Sequence, residues 1–472
     1  MVAAGFEVVL LEDCRSTPEL SFTVRYKQCA CGIMITASHN PPSDNGFKAY
    51  WSTGGQVVPP HDKGIIEEVY SVETVERADF DEAVAAGKIL PSQQEIDPAF
   101  AAAVSSCALP GPRDLKILYS PLHGVGATAV CPVLAACGFH DVEVYGPHAT
   151  QDGDFPNVPD HVSNPENSIV FAAIVERAKE IGADLVMASD PDCDRIGLAA
   201  PRTTSHDSPW ATLSGNQIVA ILAEYVLERR QAAGSLSSDH YLIKTLVTTD
   251  MVRRIGDAYG VTTYGNLLVG FKWIGEVMDQ VGPDRFVFGG EESHGYLIGQ
   301  YARDKDGAAA AMLVAGLAAQ VKAEGKTLHE KLDALYWQYG YHAEKLFSLV
   351  LPGAQGMEQM KKLMQLLRSE PPESLAGVPV AAVRDYLAKT ITKRGESPEP
   401  LEGPTGDLII LDLAVEGTYV AVRPSGTEPK VKFYMFTYEP AEQIHDLDAI
   451  RAEHDQRLEG FADGLRAIAA KI

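Results

Sequence analysis

The run "SIVFAAIVERAKEIGADLVMASDPDCDR", residues 168–195, decides the fold class. Its first part, 168–182, spaces apolar residues at helical intervals and stops at Gly182. "ADLVMAS" (183–189) then forms an apolar run of strand length, and three aspartates follow at once. A helix feeding a buried strand whose far end carries charged groups is one unit of an α/β domain.

The same alternation extends in both directions. "DLKILYS" (114–120) reads as a strand, "PLHGVGATAVCPVLAACG" (121–138) as a turn and a helix stopped by Gly138, and "DVEVYG" (141–146) as the next strand. "PRTTSHDSPWATLSG" (201–215) reads as a polar connector and a domain boundary. Beyond it come a helix "NQIVAILAEYVLERRQ" (216–231), a strand "YLIKTLVT" (241–248), a capped helix "TTDMVRRIGDAYG" (248–260) and a strand "RFVFGG" (285–290). "GAAAAMLVAGLAA" (307–319) is bounded by Asp306 and Lys322 and too short to span a membrane, so it reads as a buried helix. From about residue 342 the pattern changes to a helix (356–369), a hairpin (407–424) and a closing helix (448–470).

These boundaries predict four domains, 1–108, 109–205, 206–341 and 342–472: α/β units with largely parallel pairing, then a smaller α+β module. The chain of 472 residues is too long for one core. Its 40 basic and 64 acidic side chains leave a net charge of -24, which weighs against nucleic-acid or anionic-membrane partners. An anionic ligand must therefore be captured by local basic groups. Seven scattered cysteines with no CxxC spacing predict a reduced, cytoplasmic protein. "MVAAGFEVVLLED" (1–13) reads as the last turn of a helix, a stop at Gly5 and a strand, with an upstream segment expected to be missing.

Four unusual loops each follow a predicted strand: "TASHNP" (36–41), "DPDCDR" (190–195), "GEESHG" (290–295) and "RPSGTEPK" (423–430). The carboxyl ends of strands are where open α/β sheets bind ligands. In "DPDCDR", Pro191 favours an extended backbone, so Asp190, Asp192 and Asp194 point one way and suit a hard cation such as Mg²⁺. A solvated acidic turn with a surface Asp194–Arg195 pair fits the same letters. In "RPSGTEPK", Arg423, Ser425, Gly426 and Thr427 can form an anion nest, and equally a tight turn. Glu291, Glu292, Ser293 and His294 can hold vicinal hydroxyls, and Lys305 of "RDKDG" can serve as acid, base or clamp. Ser38 has neither a Ser-His-Asp spacing nor a GxSxG elbow, so phosphoryl transfer, which relies on positioning and charge neutralisation, suits it better than acyl chemistry. His39 and Lys48 can move the proton or balance charge there.

With "TPELSF", "GIMITASHNPPSDNGFKAY", "LYSPLHGVG", "DPDCDR", "VGFKWIGE", "GGEESHGYL", "RDKDG" and "RPSGTEPKVKFY" in order from residue 17 to 434, the chain resembles the α-D-phosphohexomutases, most of all the branch of phosphoglucomutases and phosphopentomutases. The resemblance implies three related α/β domains with mixed sheets and a smaller α+β carboxyl-terminal domain around a central cleft. It implies Ser38 as the phosphoserine, and Mg²⁺ on Asp190, Asp192, Asp194 and a phosphoserine oxygen. Glu291 and Ser293 would read sugar hydroxyls, Arg423, Ser425, Gly426 and Thr427 would grip the other phosphate, and His39, Lys48 and Lys305 would lie near the reacting groups. The implied reaction interconverts glucose 1-phosphate and glucose 6-phosphate through glucose 1,6-bisphosphate. Phosphomannomutase or phosphopentomutase activity is the nearest alternative, with a metal-dependent phosphatase or a non-catalytic sugar-phosphate binder further off. Relatives also carry, before "GFEVVLLED", a segment with a glycine-rich arginine loop that is absent from this sequence, which implies that the first domain lacks part of its sheet.

Overall fold

The computed structural model describes residues 1–472 apart from Pro352, Ala354 and Thr427. The chain forms two compact units, one of residues 1–243 and 270–331, the other of 244–269 and 332–472.

In the first unit, β1 (Val8–Leu10) pairs in parallel with β4 (Ile89–Pro91), and β2 (Cys31–Ile35) forms an antiparallel hairpin with β3 (Phe47–Trp51). The stretch read first in the sequence becomes a short 3₁₀ turn, a helix Ala172–Ile181 closed by left-handed Gly182, and a fully buried strand β7 (Leu185–Ser189). β7 lies beside β5 (Ile117–Ser120), which pairs with β6 (Val142–Val144); both pairings are parallel. On its other side β7 pairs antiparallel with β8 (Ile196–Pro201), which pairs antiparallel in turn with β9 (Trp210–Thr212), so the sheet is mixed rather than largely parallel. The expected polar connector at 201–215 thus contains an edge strand, whose three residues are too short to show alternation. A fourth sheet contains Tyr241–Lys244, Phe286–Glu291 and Gly295–Ile298, the last two as a tight antiparallel pair. Helix Gly307–Ala323 is buried along almost all its length, and Asp306 caps its start by accepting from the amides of Ala308 (2.7 Å) and Ala309 (3.3 Å). Among the described residues no helix is long and apolar enough to cross a membrane.

Helix α1 (Thr17–Tyr26) starts with the sequence Ser-Thr-Pro, and the Ser16 hydroxyl accepts from the Glu19 amide at 3.3 Å. Burial, reinforced by a hydrogen bond to Asp97, pushes the Glu19 carboxyl up to about 8. Its folded pKa lies above that of an unfolded glutamate, so its contribution to stability is present in acid and is lost as pH rises toward 8. Glu19→Gln, which cannot ionise, is therefore expected to melt several degrees above the wild type at pH 9 and close to it at pH 5. Thermal unfolding at the two pH values checks this, and an equal difference at both would contradict it.

The second unit is built on an antiparallel sheet in the order Tyr341–Val350, Lys430–Glu439, Tyr419–Pro424, Ile409–Leu413, Val378–Asp385, Thr390–Lys393 and Glu399–Pro400. Helices Gly356–Ser369 and Leu447–Ala469 each bury an apolar face. Leu408, Ile410, Ala421, Tyr434 and Phe436 form a core that also takes in Leu246 and Val247.

Candidate active site

The loop after β2 is shaped by its own side chains. Thr36 Oγ1 accepts the Ser38 amide at 2.9 Å, and Thr36 N donates to the Gly46 carbonyl at 3.1 Å. A Cβ at position 46 would lie 1.9 Å from the Thr36 carbonyl oxygen, so only glycine lets the two ends of the loop approach this closely. Ser38 has a φ of 53°, a left-handed conformation that costs a non-glycine residue about 1 kcal/mol or more and often marks a functional position. Its hydroxyl donates to Asp190 Oδ2 at 2.9 Å and lies 3.2 Å from His39 Nδ1.

The aspartate loop is a turn and not the extended segment expected from Pro191. Asp190 Oδ1 accepts the amides of Asp194 and Arg195, both at 3.0 Å, the Asp190 carbonyl accepts from Cys193 at 3.0 Å, and Cys193 has a φ of 54°. A carboxylate that caps its own downstream amides folds the loop back, overriding the local proline preference. The three carboxylates still converge: all are buried, and one oxygen from each lies within 4.8 Å of the others. The surface-pair alternative fails, because Arg195 is largely buried and bonded to Glu166, with Asp194 3.7 Å and Asp190 4.0 Å away.

Two lysines balance this charge. Lys48 Nζ donates to Asp192 Oδ2 (2.7 Å) and Asp194 Oδ2 (3.1 Å), and Lys305 Nζ lies 2.9 Å from Asp194 Oδ2. Burial opposes charge throughout, yet Lys305, Lys48 and Arg195 hold the Asp194 carboxyl far below the usual range; Asp192, Asp194 and Asp304 hold Lys48 above its own range, and Asp194, Asp304 and Glu291 do so for Lys305. Asp190 goes the other way, pushed well up by burial and by the negative charges of Asp194 and Asp192. Asp192 Oδ1 and Asp194 Oδ1 are buried with no hydrogen-bond partner among the described residues. Unpartnered buried anionic oxygens in a converging all-oxygen set fit Mg²⁺, a hard cation that takes carboxylate ligands.

Gly295 brings the other loops of this unit to the same place. A Cβ there would lie 2.3 Å from Lys305 Cδ and 3.0 Å from Glu291 Oε1. Glu291 ends strand Phe286–Glu291; burial raises its pKa, while Lys305, Arg195 and a hydrogen bond from Ser293 oppose the shift. The next strand begins at Gly295, so Glu291–Gly295 forms the hairpin turn, and its His294 carbonyl accepts from the Ile196 amide at 3.1 Å. Ser38, His39, Lys48, the three aspartates, Glu291, Ser293 and Lys305 thus all belong to one cluster or its immediate surroundings in the first unit.

The loop of residues 423–430 belongs to the second unit. Arg423 lies at the end of strand Tyr419–Pro424, and the Ser425 amide closes the hairpin on the Lys430 carbonyl at 2.7 Å. Among the described residues other than its chain neighbours, no heavy atom would lie within 4 Å of a Cβ added at Gly426. Thr427 lies outside the described residues.

Three family models match in series, the phosphoglucomutase/phosphomannomutase alpha/beta/alpha domain I over residues 1–76, domain II over 88–203 and domain III over 214–339. A phosphoglucomutase of Staphylococcus haemolyticus is 32% identical over 450 residues, covering 92% of this chain and 78% of its own length. The chain belongs to the phosphoglucomutase/phosphomannomutase family. It is a phosphohexomutase of the phosphoglucomutase branch, and as such a phosphosugar mutase enzyme.

The phosphohexomutase fold extends to distant solved structures. A phosphomannomutase described as putative, from Thermus thermophilus, superposes with a TM-score of 0.64 at 22% identity, over 96% of this chain and 85% of that one. The open form of parafusin, a phosphoglucomutase from Paramecium, gives 0.66 at 16% identity, over 98% and 83%.

Residues that support the candidate site from outside went unrecognised in the sequence. Asp304, almost fully buried, accepts from Tyr50 Oη (2.7 Å) and Gln56 Nε2 (2.8 Å) and lies 3.6 Å from Lys305 Nζ. Glu166 holds Arg195, and Thr17 holds Asp192. The motif "LHGVG" backs the aspartate turn: Val125 N donates to the Pro191 carbonyl at 2.8 Å, and a Cβ on Gly124 would lie 2.2 Å from Pro191 Cα. Its glycines were the one visible signal, since a glycine often marks close backbone approach.

Proposed function

We propose that this phosphohexomutase interconverts glucose 1-phosphate and glucose 6-phosphate through a phosphorylated Ser38 and a glucose 1,6-bisphosphate intermediate. The observation that carries the reading is the Ser38 hydroxyl 2.9 Å from Asp190, at the rim of a buried aspartate trio flanked by two lysines. The phosphoglucomutase relatives support glucose as the sugar.

Asp190, Asp192 and Asp194 would hold Mg²⁺ together with an oxygen of phosphorylated Ser38, and the bound ion would neutralise charge on the transferring group. In the first half-reaction a sugar hydroxyl oxygen bonds to phosphorus as the bond from phosphorus to Ser38 Oγ breaks. The hydroxyl proton passes to a group of the site, and one equivalent returns when the second half-reaction restores the phosphoserine and frees the other hydroxyl. Lys48 and Lys305, held cationic by neighbouring carboxylates, would clamp the equatorial oxygens, with His39 Nδ1, 3.2 Å from Ser38 Oγ, as the proton-handling group. Glu291 and Ser293 would read the sugar hydroxyls. Arg423, Ser425, Gly426 and Thr427 would grip the phosphate that is not transferring, at whichever end of the sugar it lies. The four-domain division at 108, 205 and 341 belongs to the same proposal, as does a cytoplasmic setting, which the free state of all seven cysteines suits.

Comparing kcat/KM for glucose, mannose and ribose 1-phosphates tests the assignment. Glucose is expected to lead by at least about tenfold. A pentose or mannose in first place would move the reading to phosphopentomutase or phosphomannomutase. Release of free phosphate without isomerised sugar would make the chain a phosphatase.

A further inference from the structure

We infer that Thr17 is a positioning residue for the metal centre, holding Asp192 so that one carboxylate oxygen stays turned toward the ion; this rests on reading the aspartate trio as a Mg²⁺ site. Thr17 is fully buried at the first position of α1 and reaches Asp192 twice. Its amide donates to the Asp192 carbonyl at 2.9 Å, and its hydroxyl donates to Asp192 Oδ2 at 2.8 Å. Backbone and side chain of one ligand are therefore pinned by a single residue.

The division of labour between the two oxygens of Asp192 follows from these bonds. Oδ2 receives Thr17 and Lys48, whereas Oδ1 is buried and has no partner among the described residues. The two donors differ in kind. The Lys48 ammonium carries a charge that competes with a divalent cation for the same carboxylate, on a flexible four-carbon stem. The Thr17 hydroxyl is neutral, so it can keep its bond when a cation arrives. Its χ1 is restricted by β-branching, and Ser16 caps the helix that carries it. The positive end of the α1 dipole adds a favourable field at Asp192 without adding a competing ion. Donors of this type fix ligand orientation in metal sites, and removing them typically weakens metal binding 10- to 100-fold.

Mn²⁺ binding to the 472-residue chain, read by electron paramagnetic resonance without substrate, tests the inference. Thr17→Val keeps the shape and removes the hydroxyl, and is expected to raise the Mn²⁺ dissociation constant roughly 10- to 100-fold. Thr17→Ser keeps the hydroxyl and is expected to stay near the wild-type value. At saturating metal, kcat of the Val variant should approach that of the wild type, because Thr17 touches no reacting atom. If the Val variant does not fold, Thr17→Ala against Thr17→Ser reads the same contrast. Equal Mn²⁺ affinities in wild type, Ser and Val (or Ala) variants would overturn the role of Thr17 while leaving the metal site intact. Wild-type binding no tighter than that of Asp194→Asn would overturn the metal site and the inference together.

Discussion

Ser38→Ala is expected to lose turnover by on the order of 10⁴-fold or more, the scale seen when a covalent nucleophile is removed. The fold should survive. Ser38 is half-exposed, and its side chain makes two contacts, to Asp190 and His39, both replaceable by water. Alanine inherits the left-handed φ of 53° without the serine hydroxyl, so a destabilisation of about 1 kcal/mol is the most that backbone strain should add. Steady-state rates with glucose 1-phosphate, alongside thermal unfolding, separate the two effects. A variant that isomerises substrate at an undiminished rate would mean that Ser38 does not carry the phosphoryl group.

The second large effect is a contrast within one motif. Asp194 and Asp190 are four residues apart and both buried, yet their charges play opposite parts. Asp194 is the counter-ion of Lys48 and Lys305, and Asp194→Asn leaves buried ammonium groups short of an anion, a change that costs about 3–5 kcal/mol. Asp190 instead carries a charge that burial and its neighbours oppose, so Asp190→Asn removes a burden. The asparagine oxygen can still accept the Asp194 and Arg195 amides, and its NH₂ can face Ser38. In metal-free buffer, urea unfolding is expected to find Asp194→Asn strongly destabilised and Asp190→Asn near or above the wild type. Activity should fall by on the order of 10³-fold in both, since each would lose a proposed ligand of the ion that would steady the transition state. Equal losses of stability in the two variants would contradict this division of charge.

Much of this site was legible because its pieces are short and local. "TASHNP", "DPDCDR" and "GEESHG" each follow a strand that periodicity can reveal, and strands ending at Ile35, Ser189 and Glu291 deliver them, while "RPSGTEPK" follows a strand ending at Pro424 in the second unit. What escaped was carried by contacts between distant segments. Thr17 meets Asp192 across 175 positions and Tyr50 meets Asp304 across 254, and no local pattern encodes such pairs. Glu166 gives no local sign that it will meet Arg195, 29 residues later. The course of the aspartate loop was misjudged for a related reason. The proline rule speaks for extension, but the Asp190 side chain bonds its own downstream amides, and that competition is settled by geometry.

Mass spectrometry of the chain after incubation with glucose 1,6-bisphosphate tests the central claim most directly. The account predicts one added phosphoryl group, located on the peptide that contains Ser38 and transferable from it to glucose 1-phosphate. A preparation that turns over substrate while Ser38 stays unmodified, or that carries the phosphoryl group on another residue, would contradict it.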